Sequence, residues 1–427
     1  MKRAIVVGSG PGGAAAARRL QGRFDVTILE AGGEFRPFTS SLLVPELARK
    51  AGLLFDEREI SLLFPAMRVH KALDGMIVVR GRGTGGTSTV ATANALRADD
   101  DLRRIGIDLD EGFAELESAI PITADHRSLW RPPTVRLFQV CREIGLDPFP
   151  TPKMGRFTHC RNCGRCVLGC RFGVKWDSRE FLRDALAAGA RLVTGAEVES
   201  LVVSGGQAAG VMVRHGFRRR FHAADLVILA AGGLGTPEIL RNSGIPLEPG
   251  LFVDPVLCVA APFPGANQNR ELPMPFIAAR DRYIISPYFD HLSYFFNRSW
   301  NRPARNILSL MIKLADDGSG TVDGGKVGKA LTRDDLQRLA GAVELCTEIF
   351  ARLGIPGTDL FMGTLNAGHP GGMFPLTPAE SESLHHSSLP GNAFVADSSL
   401  LPASLGKPPM MTIMALADAI ATRAMQG

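Results

Sequence analysis

The sequence predicts an α/β protein in which a doubly wound parallel sheet is built from discontinuous stretches of chain, with an α+β unit inserted between them. Three observations predict this. The run AIVVG (4–8) passes through a glycine turn into a helical pattern, AAAARRL (14–20), and out into a second apolar run, DVTILE (25–30). Apolar β-branched runs flanking a helix of period 3.6 are the unit that opens a parallel sheet. Far along the chain, ADLVILAAGG (224–233) and NAFVADSSLLP (392–402) again show an apolar strand closing on a turn, and the material between is unlike them.

Length and composition set the bounds. At ~150 residues per domain, 427 residues amount to two or three domains, enough to bury a core without disulfides or a structural metal. Apolar residues at 45% and charged residues at 21% argue against long disorder. The 47 glycines cluster without a G-x-y period, which excludes collagen and implies tight turns. The formal charge is only +5, and the densest basic group, RHGFRRRFH (214–222), alternates like one exposed strand, so a solvated face is expected and no nucleic-acid partner. No apolar run approaches the ~20 residues of a transmembrane segment. MKRAIVVGSG runs straight into its glycine turn instead of a cleavage site, so a cytoplasmic protein with reduced thiols is expected.

The first element carries chemistry. Gly8-x-Gly10-x-x-Gly13 follows a predicted strand and opens a predicted helix of Rossmann type. Gly8 permits the tight turn, Gly10 lets the backbone approach a pyrophosphate, and Gly13 allows close helix–strand packing. The helix N-terminus presents free N–H groups to that anion. Glu30, ending the second strand 17 residues after Gly13, stands where an acidic residue grips ribose hydroxyls. The motif alone does not separate FAD from NAD.

Later elements follow in order. A glycine-rich stretch fills 80–97, and 101–158 is mostly helical. Strands are predicted within 191–213 and 217–231, and short strands broken by Pro, Gly and Asn from about 250 to 300. Tyr283, Tyr288, Phe289, Tyr294, Phe295, Phe296 and Trp300 crowd this last region, as the wall of an apolar pocket or the core of a small sheet. Helices are expected over 333–353 and from about 410 to 425.

Three segments resemble the glucose–methanol–choline (GMC) family of FAD-dependent oxidoreductases. GRGTGGTSTVATANALR (81–97) is similar to its glycine-rich flavin loop. AAGGLGTPEILRNSGI (230–245) resembles the second family signature, and NAFVADSSLLPASLGKPPMMTIMALADAIA (392–421) its C-terminal return to the FAD domain. The resemblance implies a Rossmann-type FAD-binding domain over 1–100, 191–248 and 366–427, the last also holding the active site. It leaves 101–190 as a cap or linker segment and 249–365 as the substrate-binding domain. Carried onto this chain, it places FAD against Gly8, Gly10, Pro11, Gly12, Gly13 and Glu30, then Arg82, Gly85, Gly86, Thr87 and Asn94. Val198, Asp397, Pro409 and Met410 complete that set. Asp397 reads equally well as a structural cap.

The family's active-site histidine matches His369 in Ala367-Gly368-His369-Pro370-Gly371-Gly372. An imidazole suits removal of a hydroxyl proton at neutral pH. The family's second catalytic position, His or Asn, is occupied here by Pro408, which has no side-chain donor or acceptor. Asn366, Lys407 or a tyrosine of the aromatic segment is the expected substitute, with Asn366 first. His385-His386 lies in a polar loop and reads as solvated.

Cys160-x2-Cys163-x2-Cys166-x3-Cys170 (within 159–171) has the spacing of bacterial ferredoxin runs. A [4Fe–4S] cluster is the first expectation, closed by Cys170 or by a remote Cys141, Cys258 or Cys346. Zinc on the four cysteines, or on three with His159, is the alternative. The remaining cysteines otherwise read as small buried apolar residues.

These features predict an FAD-dependent dehydrogenase moving hydride between a CH–OH substrate, apolar or ring-bearing, and flavin. The cluster would relay electrons to an external acceptor, an electron-transfer protein or a quinone. A non-redox, lyase-type flavoprotein and a zinc-stabilised oxidase using oxygen are the alternatives.

Overall fold

The computed structural model describes residues 1–54 and 59–426. The opening run forms the strand Lys2–Val7, which pairs in parallel with Phe24–Glu30 on one side and Leu226–Leu229 on the other. Leu226–Leu229 pairs in turn with Ala393–Val395, and Phe24–Glu30 with Arg191–Thr194, again in parallel. Counted along the chain, the five strands lie in the order 3-2-1-4-5, the doubly wound Rossmann arrangement. Its topological switch point falls between Lys2–Val7 and Leu226–Leu229, and ligands bind outside the carboxyl ends of the strands there.

The helix Pro11–Arg19 starts on a proline, whose missing N–H costs nothing at that position. Its alanines, Ala14 to Ala17, are buried, and their small size brings the final helix, Met410–Ala424, close against it. Arg19 clamps the pair through two 2.7 Å hydrogen bonds to Asp418. An antiparallel meander, Glu197–Ser204, Gln207–His215 and Arg218–Ala223, follows the third strand. The basic run 214–222 is therefore a hairpin and not one strand. Gly216, at φ +61°, makes the turn, and Arg214 comes to lie opposite Arg219 with both on Glu199.

The second sheet is largely antiparallel. Its centre is Pro255–Pro262, Ile307–Leu314, Tyr283–Pro287 and Phe276–Arg280, paired in that order. The hairpin Met67–Lys71/Ile77–Gly81 joins at one side through Asn366–Ala367, so strands within 1–100 and 366–427 belong to this sheet. Conversely, the helices Asp110–Ala119 and Arg179–Ala187 pack on the final helix and on Pro11–Arg19. The two units interlace more finely than the sequence segments, because the glycine-rich loop begins where Ile77–Gly81 ends and must cross from one sheet to the other.

Ile307–Leu314 is buried throughout, and the two-residue period of a strand sorts its side chains. Leu308, Leu310, Ile312 and Leu314 pack beneath the helices Pro132–Glu143 and Arg333–Arg352. Met311 and Lys313 face the opposite side, which lines a large cavity. Cys141, Cys258 and Cys346 are fully buried within the apolar clusters, as small core residues. No helix among the described residues is long and apolar enough to cross a membrane.

Candidate active site

A cavity of about 1120 Å³ runs from the switch point of the parallel sheet to the inner face of the second sheet. That exceeds the ~300–1,000 Å³ of ordinary small-molecule sites, leaving room for a dinucleotide and a substrate. Of the residues expected to hold FAD, all but Gly13 and Gly85 line it. Those two act from behind. A Cβ on Gly13 would lie 2.0 Å from the Gly8 carbonyl oxygen, and one on Gly85 2.7 Å from the Thr89 methyl.

At the nucleotide end, Glu30 is buried and its carboxylate accepts from the Ser9 N–H (3.1 Å), the Ser9 hydroxyl (2.6 Å) and the Gly32 N–H (2.8 Å). Those bonds fix its orientation and leave lone pairs free toward the cavity. The backbone at Gly10 is open: a Cβ there would meet nothing nearer than the Gly86 Cα at 3.9 Å. The final helix begins at Met410, after Pro409, with its N-terminus at the cavity and its unpaired N–H groups available to an electronegative edge. This cradle of backbone, dipole and carboxylate fits FAD.

Asp397 caps after all. It accepts from Gly232 N–H (2.8 Å), the Thr236 hydroxyl (2.5 Å) and Ser399 N–H (2.9 Å), joining the last strand to the helix Gly232–Asn242 while lining the cavity. Asn94 is aimed by Lys153, whose ammonium donates to its Oδ1 at 2.5 Å.

At the reaction end, the His369 segment is threaded between Phe252, Gly233 and Ser398. Gly371 exchanges 3.1 Å backbone hydrogen bonds with Phe252, and a Cβ on Gly233 would sit 1.9 Å from the Pro370 carbonyl oxygen. A quarter of the His369 side chain is open, and it opens to the cavity. Its Nδ1 has no hydrogen-bond partner and lies 3.7 Å from Asp254 Oδ2. Burial, with the nearby positive charge of Lys313, holds its pKa well below the usual histidine value, so the ring is a neutral base. Asn366 and Pro408 also face the cavity, and one N–H of Asn366 Nδ2 donates to the Thr364 carbonyl at 3.0 Å. Of the aromatic segment, Tyr288 and Phe296 reach the cavity, whereas Phe289, Tyr294, Phe295 and Trp300 fill the core beside it.

Sequence reasoning missed Lys313 and Asp254. The signal was present in ILSLMIKL: a lysine inside a strand buried on both faces needs a partner and a purpose. Lys313 Nζ donates to Asp254 Oδ2 with both side chains only 1% exposed.

The four clustered cysteines line one small cleft of their own, so Cys170 stands with its three neighbours and the remote cysteines lie elsewhere. Among the described residues, no group of three or more His, Cys, Asp or Glu side chains is arranged to hold a metal ion. Four thiolates on one zinc, at ~2.3 Å each, or around a [4Fe–4S] cluster would need such a gathering, so the side chains as placed support neither centre over the other. Burial pushes the Cys166 thiol up to about 12. Lys153 and Lys175 are buried beside the cleft and form no ion pair among the described residues. Lys175 Nζ donates to the carbonyls of Thr89 (2.7 Å), Ala91 (2.9 Å), Ser88 (3.1 Å) and Cys166 (3.2 Å), tying the flavin loop to the cysteine loop. Val167 and Leu168, within the cysteine loop, touch the large cavity.

A parallel 3-2-1-4-5 sheet with its glycine turn, acidic strand end and cavity at the switch point defines a dinucleotide-binding Rossmann-type fold. The chain belongs to the FAD dependent oxidoreductases, whose family model matches residues 178–423, and is of the GMC type, the GMC oxidoreductase model matching residues 67–256. An uncharacterised protein of Methanocaldococcus jannaschii is 23% identical, the match covering 96% of each chain. An uncharacterised GMC-type oxidoreductase of Mycobacterium tuberculosis is 31% identical over 58% of this chain and 40% of its own. A long-chain-alcohol oxidase of Arabidopsis thaliana is 25% identical over 98% of this chain and 66% of its own. Against these last two the chain spans less than two thirds of the relative's length. Among solved structures, pyridoxine 4-oxidase from Mesorbium loti superposes with a TM-score of 0.72, at 18% identity over 99% of both chains, a likeness of fold.

Proposed function

We propose that this chain oxidises the CH–OH group of a small, apolar or ring-bearing alcohol, or reduces the corresponding carbonyl. The observation that carries the reading is His369, whose side chain opens to the cofactor cavity while burial and the nearby Lys313 hold its pKa below the usual histidine value. When bound, FAD supplies the two-electron acceptor, so that the carbon gives up hydride, the hydroxyl proton goes to His369, and a carbonyl remains. The chain's own residues hold the cofactor through Glu30, the Gly10 turn and the Met410 helix end, and keep water from the reaction end with Val256, Met311 and Phe296. The Arabidopsis alcohol oxidase supports the substrate class. The non-redox, lyase-type reading drew on the family fold and on Pro408; the likeness to an alcohol oxidase, which extends over 98% of this chain, favours oxidoreduction.

The finer part of the proposal concerns Cys160, Cys163, Cys166 and Cys170 as the seat of a [4Fe–4S] cluster, the exit for electrons to an external acceptor such as an electron-transfer protein or quinone. Its support is the shared cleft, the ferredoxin spacing, the contact of the cysteine loop with the cofactor cavity, and two buried lysines, Lys153 and Lys175, whose charged forms burial disfavours and an anionic centre would favour. Anaerobically purified protein should carry about four iron and four sulfide per FAD, with broad absorption that bleaches on reduction. FAD without iron would leave alcohol oxidation standing and remove the relay. The activity itself is tested by mixing anaerobic holoenzyme with a panel of aliphatic alcohols, benzyl alcohol and pyridine methanols: one of them should bleach the flavin absorbance, and a flavin that none reduces overturns the reading.

A further inference from the structure

We propose that Lys313 is a catalytic residue that binds the substrate oxygen beside His369, in the place Pro408 leaves without a polar group. The proposal rests on the alcohol-oxidation reading and names the group that recognises the oxygen.

The geometry begins in the sheet. Asn366 pairs with Val256, and Val256 with Lys313, so one row across three strands presents all three side chains to the cavity. Lys313 has three donors and makes one hydrogen bond among the described residues, to Asp254. Lys313 lines the cavity with only 1% of its side chain exposed, so its unspent donors serve a ligand oxygen seated directly against that wall; burial lowers its pKa, and the Asp254 carboxylate works against that shift.

Asp254 holds the lysine and reports on the design of the site. Its backbone sits at φ +53°, in the left-handed region that aspartate and asparagine enter more readily than most residues other than glycine. Asp254 Oδ1 accepts from the Ser404 hydroxyl and from Gly406 N–H (3.2 Å), while Oδ2 takes Lys313 and stands 3.7 Å from His369 Nδ1. One carboxylate thus joins the central strands, the histidine loop and the Gly406–Pro408 turn. Behind it, Asp316 and Lys329 form a second buried ion pair at 2.9 Å, and Ser404 bridges to Asp316 at 3.0 Å, so Asp254 is left to Lys313.

The chemistry asks for such a group. As the hydroxyl proton passes to His369 the oxygen gains negative charge, and a preorganised cation in a water-poor cavity stabilises that charge far better than in bulk water. The same ammonium binds the oxygen of a carbonyl product, or a carboxylate that imitates it. A merely structural ion pair would have no reason to bind either.

Benzoate is the probe, because its binding to oxidised holoenzyme is read from the flavin absorbance without turnover. The variant Lys313→Met with Asp254→Asn removes both charges together, and asparagine tolerates the left-handed backbone. With FAD content retained, benzoate should bind at least tenfold more weakly than to wild type. Equal affinity, or no benzoate binding by the wild type, overturns the proposal. If the double variant loses FAD, Lys313→Gln, which keeps a hydrogen bond to Asp254 without the charge, is titrated in its place under the same criteria. The alcohol panel is scored separately on the wild type: failure there removes the oxidation reading, whereas unchanged benzoate affinity removes only Lys313.

Discussion

His369→Ala lowers the rate of flavin reduction by an alcohol about 10²- to 10⁴-fold, the usual worth of a positioned base, and the protein keeps its FAD. The backbone of the His369 segment, clamped to Phe252 and Gly233, does not depend on the imidazole. The pH profile supplies a second reading of the same group. The base works only as neutral imidazole, and burial with the Lys313 charge holds its pKa well below the ordinary ~6.5. Protonation therefore begins only in acid, and kcat/KM for the wild type should stay level through the neutral range as far as this group governs it. Stopped-flow reduction at several pH values measures both. A wild-type profile with an acid limb at the ordinary histidine pKa would contradict the desolvated site, and full activity in the alanine variant would remove His369 from the reaction.

The half of the site near the nucleotide was legible in the sequence because its signals are local. Gly8, Gly10 and Gly13 lie within one turn and Glu30 ends the next strand, so spacing alone places them. The distant strands of the same sheet were legible because a parallel strand buried on both faces is a continuous apolar run, as at Leu226–Leu229. The second sheet was not, since its partners are far apart in sequence and some are two residues long: Phe149–Pro150 pairs with Phe276 and Ile277, and Asn366 pairs with both Ile77 and Val256. No local pattern encodes that row, and with it went Lys313. The cysteine run is the opposite case. Its spacing is regular in sequence, yet spacing states nothing of where thiols point, and the described side chains do not gather around a metal-sized point. Within the helix His291–Phe296, successive rings turn to different sides, Phe296 to the cavity and Tyr294 and Phe295 to the core.

Two glycines two residues apart should fail in different ways. An added Cβ on Gly12 would lie 1.8 Å from the Ala396 carbonyl oxygen and 3.5 Å from an Ile413 methyl, between the nucleotide helix and the last strand. No rotamer relieves an overlap with backbone, so Gly12→Ala forces the helix off the sheet. A cost at or above the ~1–3 kcal/mol typical of overpacking is expected, with a lowered Tm whether or not FAD is added. Gly10 is the control. It has a negative φ of −67°, and its added methyl enters open cavity, 3.9 Å from the nearest atom. The apoprotein of Gly10→Ala should therefore melt like wild-type apoprotein, while its FAD affinity falls, because the methyl occupies the space through which backbone meets pyrophosphate. Thermal melts of apo and FAD-loaded protein distinguish the two. If Gly10→Ala also unfolds, the turn is packed more tightly than the cavity implies. If it binds FAD as wild type does, the pyrophosphate does not pass over Gly10, and the nucleotide end of the site must be redrawn around Glu30 and the Met410 helix end.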